Sequence, residues 1–155
     1  MATDAPKIVE TKPDYYTIGY SGRTLTDFIR TLKQAGVVTL IDIRYNAISM
    51  YKPDFTRRNL EPALRRRGIE YLHVPDLGVP SDIRHIATAT ENREFIWNWY
   101  DAHVVPQYAS GNLDWFFNSA NHPVALMCVE AAPIDCHRHR LSLALEHHGL
   151  RCSNL

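Results

Sequence analysis

The stretch from Val37 to Arg44, VVTLIDIR, is almost continuously apolar and rich in β-branched residues. Strands that a parallel sheet buries on both faces have this pattern, whereas strands with one solvated face alternate apolar and polar residues. We therefore predict a buried strand of a parallel sheet. In open sheets of this kind ligands bind beyond the carboxyl ends of the strands, so Asp42 and Arg44 are expected to lie at a ligand-binding edge.

Segments with strand-like and helical patterns alternate on both sides of this stretch. Thr24 and Asp27 form a capping box at the start of a helix that Gly36 ends, and Pro62 marks either a kink or a helix start near Asn59. The other predicted strands are 15–20, 69–74, 124–129 and a last one within 150–155, and the predicted helices are 24–35, 56–67, 91–108, 113–120 and 135–148.

This alternation implies parallel crossovers. We predict an α/β protein with a single-domain layered fold, in which a mostly parallel sheet is flanked by helices. The domain is expected to span residues 15–155, with a helical insert at about 82–120. Residues 1–14 are polar and aperiodic, and we predict a flexible N-terminal tail there.

The composition excludes several classes of protein. The chain has 155 residues, with 17 Lys and Arg against 17 Asp and Glu, so binding of polyanions by bulk charge is not expected, although a local basic patch is allowed. It has neither an apolar run of about 18 residues nor a signal-peptide pattern. It contains three cysteines, and this odd, small number favours reduced thiols over a disulfide framework. We predict a cytoplasmic location and no membrane partner.

Residues from several segments are expected to meet at the carboxyl edge of the sheet. The predicted ligand-binding residues are Gly19, Tyr20, Ser21, Arg23, Arg44, His137 and Arg138, and the predicted catalytic residues are Asp42, Glu130 and Cys136.

The segment from Cys136 to Arg140, CHRHR, places two arginines and two histidines at the start of a predicted helix. A helix N-terminus favours anions, so cations there are unusual. One interpretation is a phosphate or carboxylate site built from backbone N–H groups and guanidinium groups. The alternative is solvated charge, with Asp135 as the N-cap.

Cys136 has two interpretations. A thiol at a helix N-terminus beside cations should have a lowered pKa and be nucleophilic, whereas a free cysteine is often a small buried apolar residue. Cysteine-phosphatase chemistry is not expected, because the sixth residue after Cys136 is Ser142 rather than arginine. There is also no Cys-x-x-Cys pair for thioredoxin-like redox chemistry.

A metal site and a cofactor are not predicted. Four side chains of types that can bind metals lie close together in sequence, but their spacing matches no standard zinc pattern. Residues 137 and 139 of a helix also face in different directions. The four side chains are Cys128, Cys136, His137 and His139.

Asp42 and Glu130 both follow apolar strands, where a carboxylate costs desolvation unless it is paired. They are either structural partners of Arg44 or Arg138, or a general acid and base.

A cluster of arginines around the second helix is most simply a solvated face. With Tyr51, Lys52 and Phe55, it is alternatively a nucleic-acid contact surface. Trp97, Trp99 and Trp115 are predicted to be core residues. The arginines are Arg57, Arg58, Arg65, Arg66 and Arg67, and we name them the arginine strip.

Four motifs at compatible spacings, between about residues 15 and 150, resemble the domain of unknown function 488 (DUF488) family. The family usually has histidine at the position of Tyr20. The resemblance implies a compact α/β fold with the Cys-His-Arg segment at its ligand edge, and it implies site residues at Asp42, Arg44, Glu130, Cys136, His137 and Arg138. The motifs are residues 16–21 (YTIGYS), 41–44 (IDIR), 68–71 (GIEY) followed by Leu77 and Gly78, and 128–130 (CVE) followed by Pro133 and residues 136–138 (CHR).

Three functions remain open from the sequence. The first is a protein that binds a phosphate-bearing ligand, a nucleotide or nucleic acid, and hydrolyses it. There Arg44 and Arg138 hold the anion, Glu130 or Asp42 acts as acid or base, and Cys136 is nucleophile or support. The second is a non-enzymatic nucleic-acid binder that uses the arginine strip. The third is a protein-interaction module whose contact surface is the helical insert.

Overall fold

One sheet of five parallel strands organises the molecule. The computed structural model describes residues 13–109, 122–130, 136–147 and 149–155, and in it the strands lie in the order β3-β2-β4-β1-β5. The chain is thus an α/β protein, as predicted. The strands are β1 (Tyr15–Gly19), β2 (Thr39–Asp42), β3 (Glu70–His73), β4 (Val124–Cys128) and β5 (Cys152–Asn154).

The strand register brings the carboxyl ends of four strands to one edge of the sheet. Gly19 of β1 lies opposite Cys128 of β4. Asp42 of β2 lies opposite Met127 of β4 on one side and His73 of β3 on the other. Residues far apart in sequence therefore meet there, because parallel strands all end at the same edge.

Helices cover both faces of the sheet. Thr24 caps the first helix, and its side chain accepts a hydrogen bond from the Asp27 backbone N–H at 3.1 Å, as the capping-box pattern predicts. The helices are α1 (Leu25–Gln34), α2 (Arg57–Arg65), α3 (Ser81–Ala89), α4 (Arg93–His103), α5 (Val105–Ala109) and α6 (Arg138–His147).

Alternate residues of β4 belong to two separate apolar clusters. Ala125 and Met127 pack in a cluster with residues of α1 and α2, and Val124, Leu126 and Cys128 pack in a cluster with residues of α4 and α6. The continuous apolar character of β2 and β4 follows from this, since every strand position faces a packed layer.

The structure corrects several element boundaries. Helix α2 begins at Arg57 and runs through Pro62, so a helix start near Asn59 is wrong. The segment predicted as one helix at 91–108 is divided at Val104 into α4 and α5, and α3 precedes them as a separate helix.

Other predictions lie wholly or partly outside the described residues. These include the helix at 113–120, Trp115, Asp135 and the tail up to residue 12. Asp14 contacts the residue before β5: its backbone N–H donates a hydrogen bond to the Arg151 carbonyl at 2.8 Å. Within the described ranges, no helix is both long enough and apolar enough to cross a membrane.

Candidate functional site

A cavity of about 550 Å³ lies at the carboxyl edge of the sheet. Five of the residues predicted from the sequence line it: Arg44, Glu130, Cys136, His137 and, from the metal-ligating set, Cys128. The remaining lining comes from the loop after β2, from α3, α4 and from adjacent loops, and comprises Tyr45, Asn46, Ile48, Met50, Val79, Arg84, Arg93, Ile96, Trp97 and Val129.

Asp42 and Arg44 form a buried ion pair at the end of β2. The Arg44 Nε and Nη2 atoms donate to the two oxygens of Asp42 at 2.9 and 2.7 Å, and the Arg44 backbone N–H donates at 3.1 Å. The Tyr71 hydroxyl adds a fourth hydrogen bond at 2.5 Å. A carboxylate offers about four acceptor positions, so these four donors occupy the capacity of Asp42. This geometry favours the structural interpretation of Asp42 over acid–base chemistry.

Arg138 is also wholly buried, and it does not line the cavity. Its Nη1 donates to the backbone carbonyl of Glu130 at 2.6 Å. Burial lowers the pKa of this guanidinium group. Arg138 therefore holds the loop after β4 in place, and its burial argues against direct contact with a ligand.

Gly19 makes this arrangement possible. A Cβ atom on Gly19 would lie 1.7 Å from the Glu130 carbonyl oxygen and 2.7 Å from Arg138 Nη1. The loop after β4 can thus approach the end of β1 only because Gly19 has no side chain. Gly19 was predicted as a ligand-binding residue, and the structure places it against protein backbone.

The turn after β1 also faces protein. The ring of Tyr20 is buried and stacks on Phe55 at 4.6 Å, and Arg44 donates to its hydroxyl at 3.5 Å. The guanidinium group of Arg23 donates to Asp27 and Thr31 of α1. Ser21 is exposed, and its backbone N–H donates to the Val129 carbonyl. These three residues do not line the cavity.

Cys136 is a buried residue on the cavity wall. Burial raises the pKa of its thiol well above the ordinary value, and the neighbouring Cys128 raises it further. Of the two interpretations from the sequence, this direction favours the small buried apolar residue, because Cys136 is only 4% exposed and desolvation outweighs the nearby positive charge. A raised pKa disfavours the thiolate, which is the nucleophilic form of cysteine.

Cys128, Cys136 and His137 lie together on the cavity wall, and their ligating atoms are all within 4.8 Å of one another. Spacing in sequence missed this cluster, because Cys128 ends β4 whereas the other two residues precede α6. His139 is directed elsewhere: its Nδ1 contacts the Cys136 carbonyl oxygen and its ring meets the edge of Trp97.

Sequence reasoning also missed Arg84 of α3 and Arg93 of α4. Both are exposed residues of the insert, whose position over the cavity depends on tertiary contacts. Helix α4 is held there by the ion pair between Asp101 and Arg140 of α6 and by a hydrogen bond from Tyr100 to the Leu77 carbonyl at 2.8 Å. Trp97 was predicted to be a core residue, but it is half-buried and lines the cavity.

The arginine strip lies on a different surface. Arg57 and Arg65 both pair with Glu61, at 3.7 and 3.5 Å, which reduces the net charge of the strip. In the nucleic-acid alternative Phe55 would stack on bases, but it is 1% exposed and its ring contacts those of Tyr20 and Phe28. The strip borders a second, shallower concavity.

A family model matches most of the chain. No curated protein and no solved structure matches the chain significantly. The family model described as "Domain of unknown function DUF488" matches residues 24–145. That range includes the Asp42–Arg44 pair, all of β4, and the Cys-His-Arg segment beside the cavity. Because the match covers most of the chain and contains these site residues, the chain belongs to the DUF488 family.

Proposed function

We propose that the cavity binds a phosphate-bearing ligand of the nucleotide class. The observation that carries the proposal is the cavity lining, which combines three arginines, Arg44, Arg84 and Arg93, with the aromatic and apolar residues Trp97 and Ile96. Guanidinium groups bind phosphate through charge-assisted hydrogen bonds, and an indole ring offers a stacking face for a base. The volume of 550 Å³ is within the range of about 300 to 1,000 Å³ that small-molecule sites occupy.

The two exposed arginines contribute most of the attraction for an anion. Asp42 offsets the charge of Arg44 through its bidentate pair. Arg84 and Arg93 lie on α3 and α4, whereas Arg44 follows β2. We therefore expect the phosphate to bind on the α3–α4 side.

Glu130 is the acid–base group that this proposal supports, if the ligand is hydrolysed. Glu130 lines the cavity and is half-buried, whereas Asp42 already accepts four hydrogen bonds. The paired-carboxylate mechanism considered from the sequence therefore reduces to a single carboxylate. Glu130→Gln should abolish turnover of a hydrolysed ligand and leave its binding within about a factor of two, because Gln keeps the shape of the side chain.

Calorimetric titration tests the binding proposal. The titrants are inorganic phosphate, nucleoside mono-, di- and triphosphates, and short single- and double-stranded oligonucleotides. We expect a nucleotide to bind the wild type, and Arg84→Ala and Arg93→Ala each to weaken that binding about tenfold, which is about 1.4 kcal/mol. Arg30→Ala on α1 is the matched control, since Arg30 is exposed and does not line the cavity.

The alternative function is a non-enzymatic nucleic-acid binder that uses the arginine strip. It is favoured if oligonucleotides bind, if Arg66→Ala with Arg67→Ala weakens binding and its salt dependence, and if Arg84→Ala has no effect. Absence of binding to every titrant would contradict both proposals and favour a protein-interaction module.

A further inference from the structure

We infer that Cys128, Cys136 and His137 form a Zn²⁺ site with one coordination position open to the cavity. The three side chains come from two separate parts of the chain, and their ligating atoms lie within 4.8 Å of one another. Two cysteine sulfurs and one imidazole are ligands that zinc prefers, and harder cations such as Mg²⁺ and Ca²⁺ prefer oxygen. Binding of the ion would displace the thiol protons to solvent. This inference does not depend on the proposed nucleotide ligand.

The distances between the donor atoms suit a tetrahedral ion. Typical zinc–sulfur and zinc–nitrogen bonds place a sulfur and a nitrogen ligand about 3.5 to 3.8 Å apart. His137 Nδ1 lies 3.7 Å from Cys136 Sγ and 3.8 Å from Cys128 Sγ. Both distances are in this range, and the Sγ atoms of Cys128 and Cys136 lie within 4.8 Å of each other.

The second ring nitrogen of His137 supports the same assignment. His137 Nε2 lies 3.2 Å from the Ile43 carbonyl oxygen. A carbonyl only accepts hydrogen bonds, so Nε2 carries the proton and Nδ1 is the unprotonated nitrogen that an ion would use. Histidine ligands of zinc are commonly oriented by such a bond from their other nitrogen. Nδ1 and Nε2 lie at nearly equal distances from Cys128 Sγ, 3.8 and 3.9 Å, so an ion held by Nδ1 and both sulfur atoms requires a rotation of the imidazole ring.

The surroundings leave room for a fourth ligand. Cys128 and Cys136 are each only 4% exposed, yet both line the cavity together with His137. Structural zinc sites are closed by four protein ligands, whereas three protein ligands beside a cavity leave a position for water or substrate. Glu130 lines the same cavity, and a carboxylate there can accept a proton from a metal-bound water.

Metal titration tests the site. Protein stripped of metal and kept under a phosphine reductant is titrated with Zn²⁺ against a chromophoric chelator, and in parallel with Co²⁺. We expect one ion per chain, and with Co²⁺ the thiolate charge-transfer absorption and visible bands of a tetrahedral ion. Cys136→Ser, Cys128→Ser and His137→Ala should each weaken Zn²⁺ binding more than about tenfold.

Two matched variants serve as controls. Cys152→Ser removes the third thiol, which lies on β5 at the amino-terminal end of β1, and His103→Ala removes an exposed imidazole on α4. Both should bind Zn²⁺ as the wild type does. If a buried cysteine variant does not fold, His137→Ala carries the test, because His137 is only half-buried. Failure of the wild type to bind Zn²⁺, or equal weakening in the controls, would overturn the inference.

The two proposals fail separately. Loss of Zn²⁺ binding in His137→Ala with nucleotide binding retained would support the metal site alone. Nucleotide binding by the wild type without any Zn²⁺ or Co²⁺ binding would refute the metal site and leave the proposed function in place.

Discussion

Asp42 shows how a single buried charge can be stabilised. The carboxylate is fully buried, and it receives hydrogen bonds from Arg44 and from the Tyr71 hydroxyl. Burial of an isolated charge is costly. The buried Asp42–Arg44 pair is tolerated because all acceptor positions of the Asp42 carboxylate are filled. Asp42 thus connects the end of β2 to Tyr71 of β3.

We expect Asp42→Asn to destabilise the protein by about 3 to 5 kcal/mol, because it leaves the Arg44 guanidinium buried without its counter-charge. Urea unfolding measures the change. Asp27→Asn is the matched control: it removes the partly exposed pair with Arg23, and such pairs contribute at most about 1 kcal/mol. Similar losses for the two variants would contradict this account of Asp42.

Helix α4 connects the insert to the site. Tyr100 on its inner face is fully buried, and Trp97, Ile96 and Arg93 of the same helix line the cavity. Its position relative to the sheet therefore determines the shape of the cavity. The hydrogen bond from Tyr100 to Leu77 joins this helix to the turn that follows β3.

Tyr100→Phe removes that hydrogen bond and leaves the apolar packing intact. We expect a loss of about 1 to 3 kcal/mol in the free energy of unfolding, because the buried Leu77 carbonyl loses its donor. Tyr51→Phe, the same substitution at a fully exposed ring, should change stability by less than about 0.5 kcal/mol. Chemical denaturation of both variants provides the comparison, and a neutral Tyr100→Phe would show that this hydrogen bond does not help to hold α4 in place.

The molecule as a whole depends on buried tyrosines that must stay protonated. Burial raises the pKa of the Tyr71 phenol above its ordinary value, and the Asp42 carboxylate raises it further. Burial also raises the pKa of Tyr15. Tyr71 packs on the α1–α2 side of the sheet and Tyr15 on the α4–α6 side, so both layers are affected by alkali.

Stability should fall as the pH rises above about 10, the pKa of an unfolded tyrosine. Above that pH the unfolded chain loses phenolic protons that the folded state retains, so ionisation favours unfolding. The stabilisation is complete below pH 10 and is lost progressively toward the higher folded-state pKa. Denaturant unfolding across an alkaline pH series measures the slope. Tyr71→Phe should decline less steeply than the wild type, whereas Tyr51→Phe should have the wild-type slope.

Local patterns were sufficient to predict the parallel sheet and most of its flanking helices. The apolar run of β2, the capping box at Thr24 and the strands 15–20 and 124–129 are encoded in neighbouring residues, because burial on two faces and helix capping impose short-range patterns. The same patterns placed Arg44, Glu130, Cys136 and His137 at the carboxyl edge. The sequence did not predict α3 as a separate helix within the insert, because the apolar periodicity is weak there.

The chemistry of that edge depends on contacts between distant segments. Whether a thiol is activated or desolvated, and whether Cys128 meets the Cys136–His137 pair, depends on the packing of β4 and α6 against the other elements. The same is true of Arg84 and Arg93, which reach the cavity because α3 and α4 fold over it. Burial and through-space distance are properties of the assembled chain, so sequence spacing does not encode them.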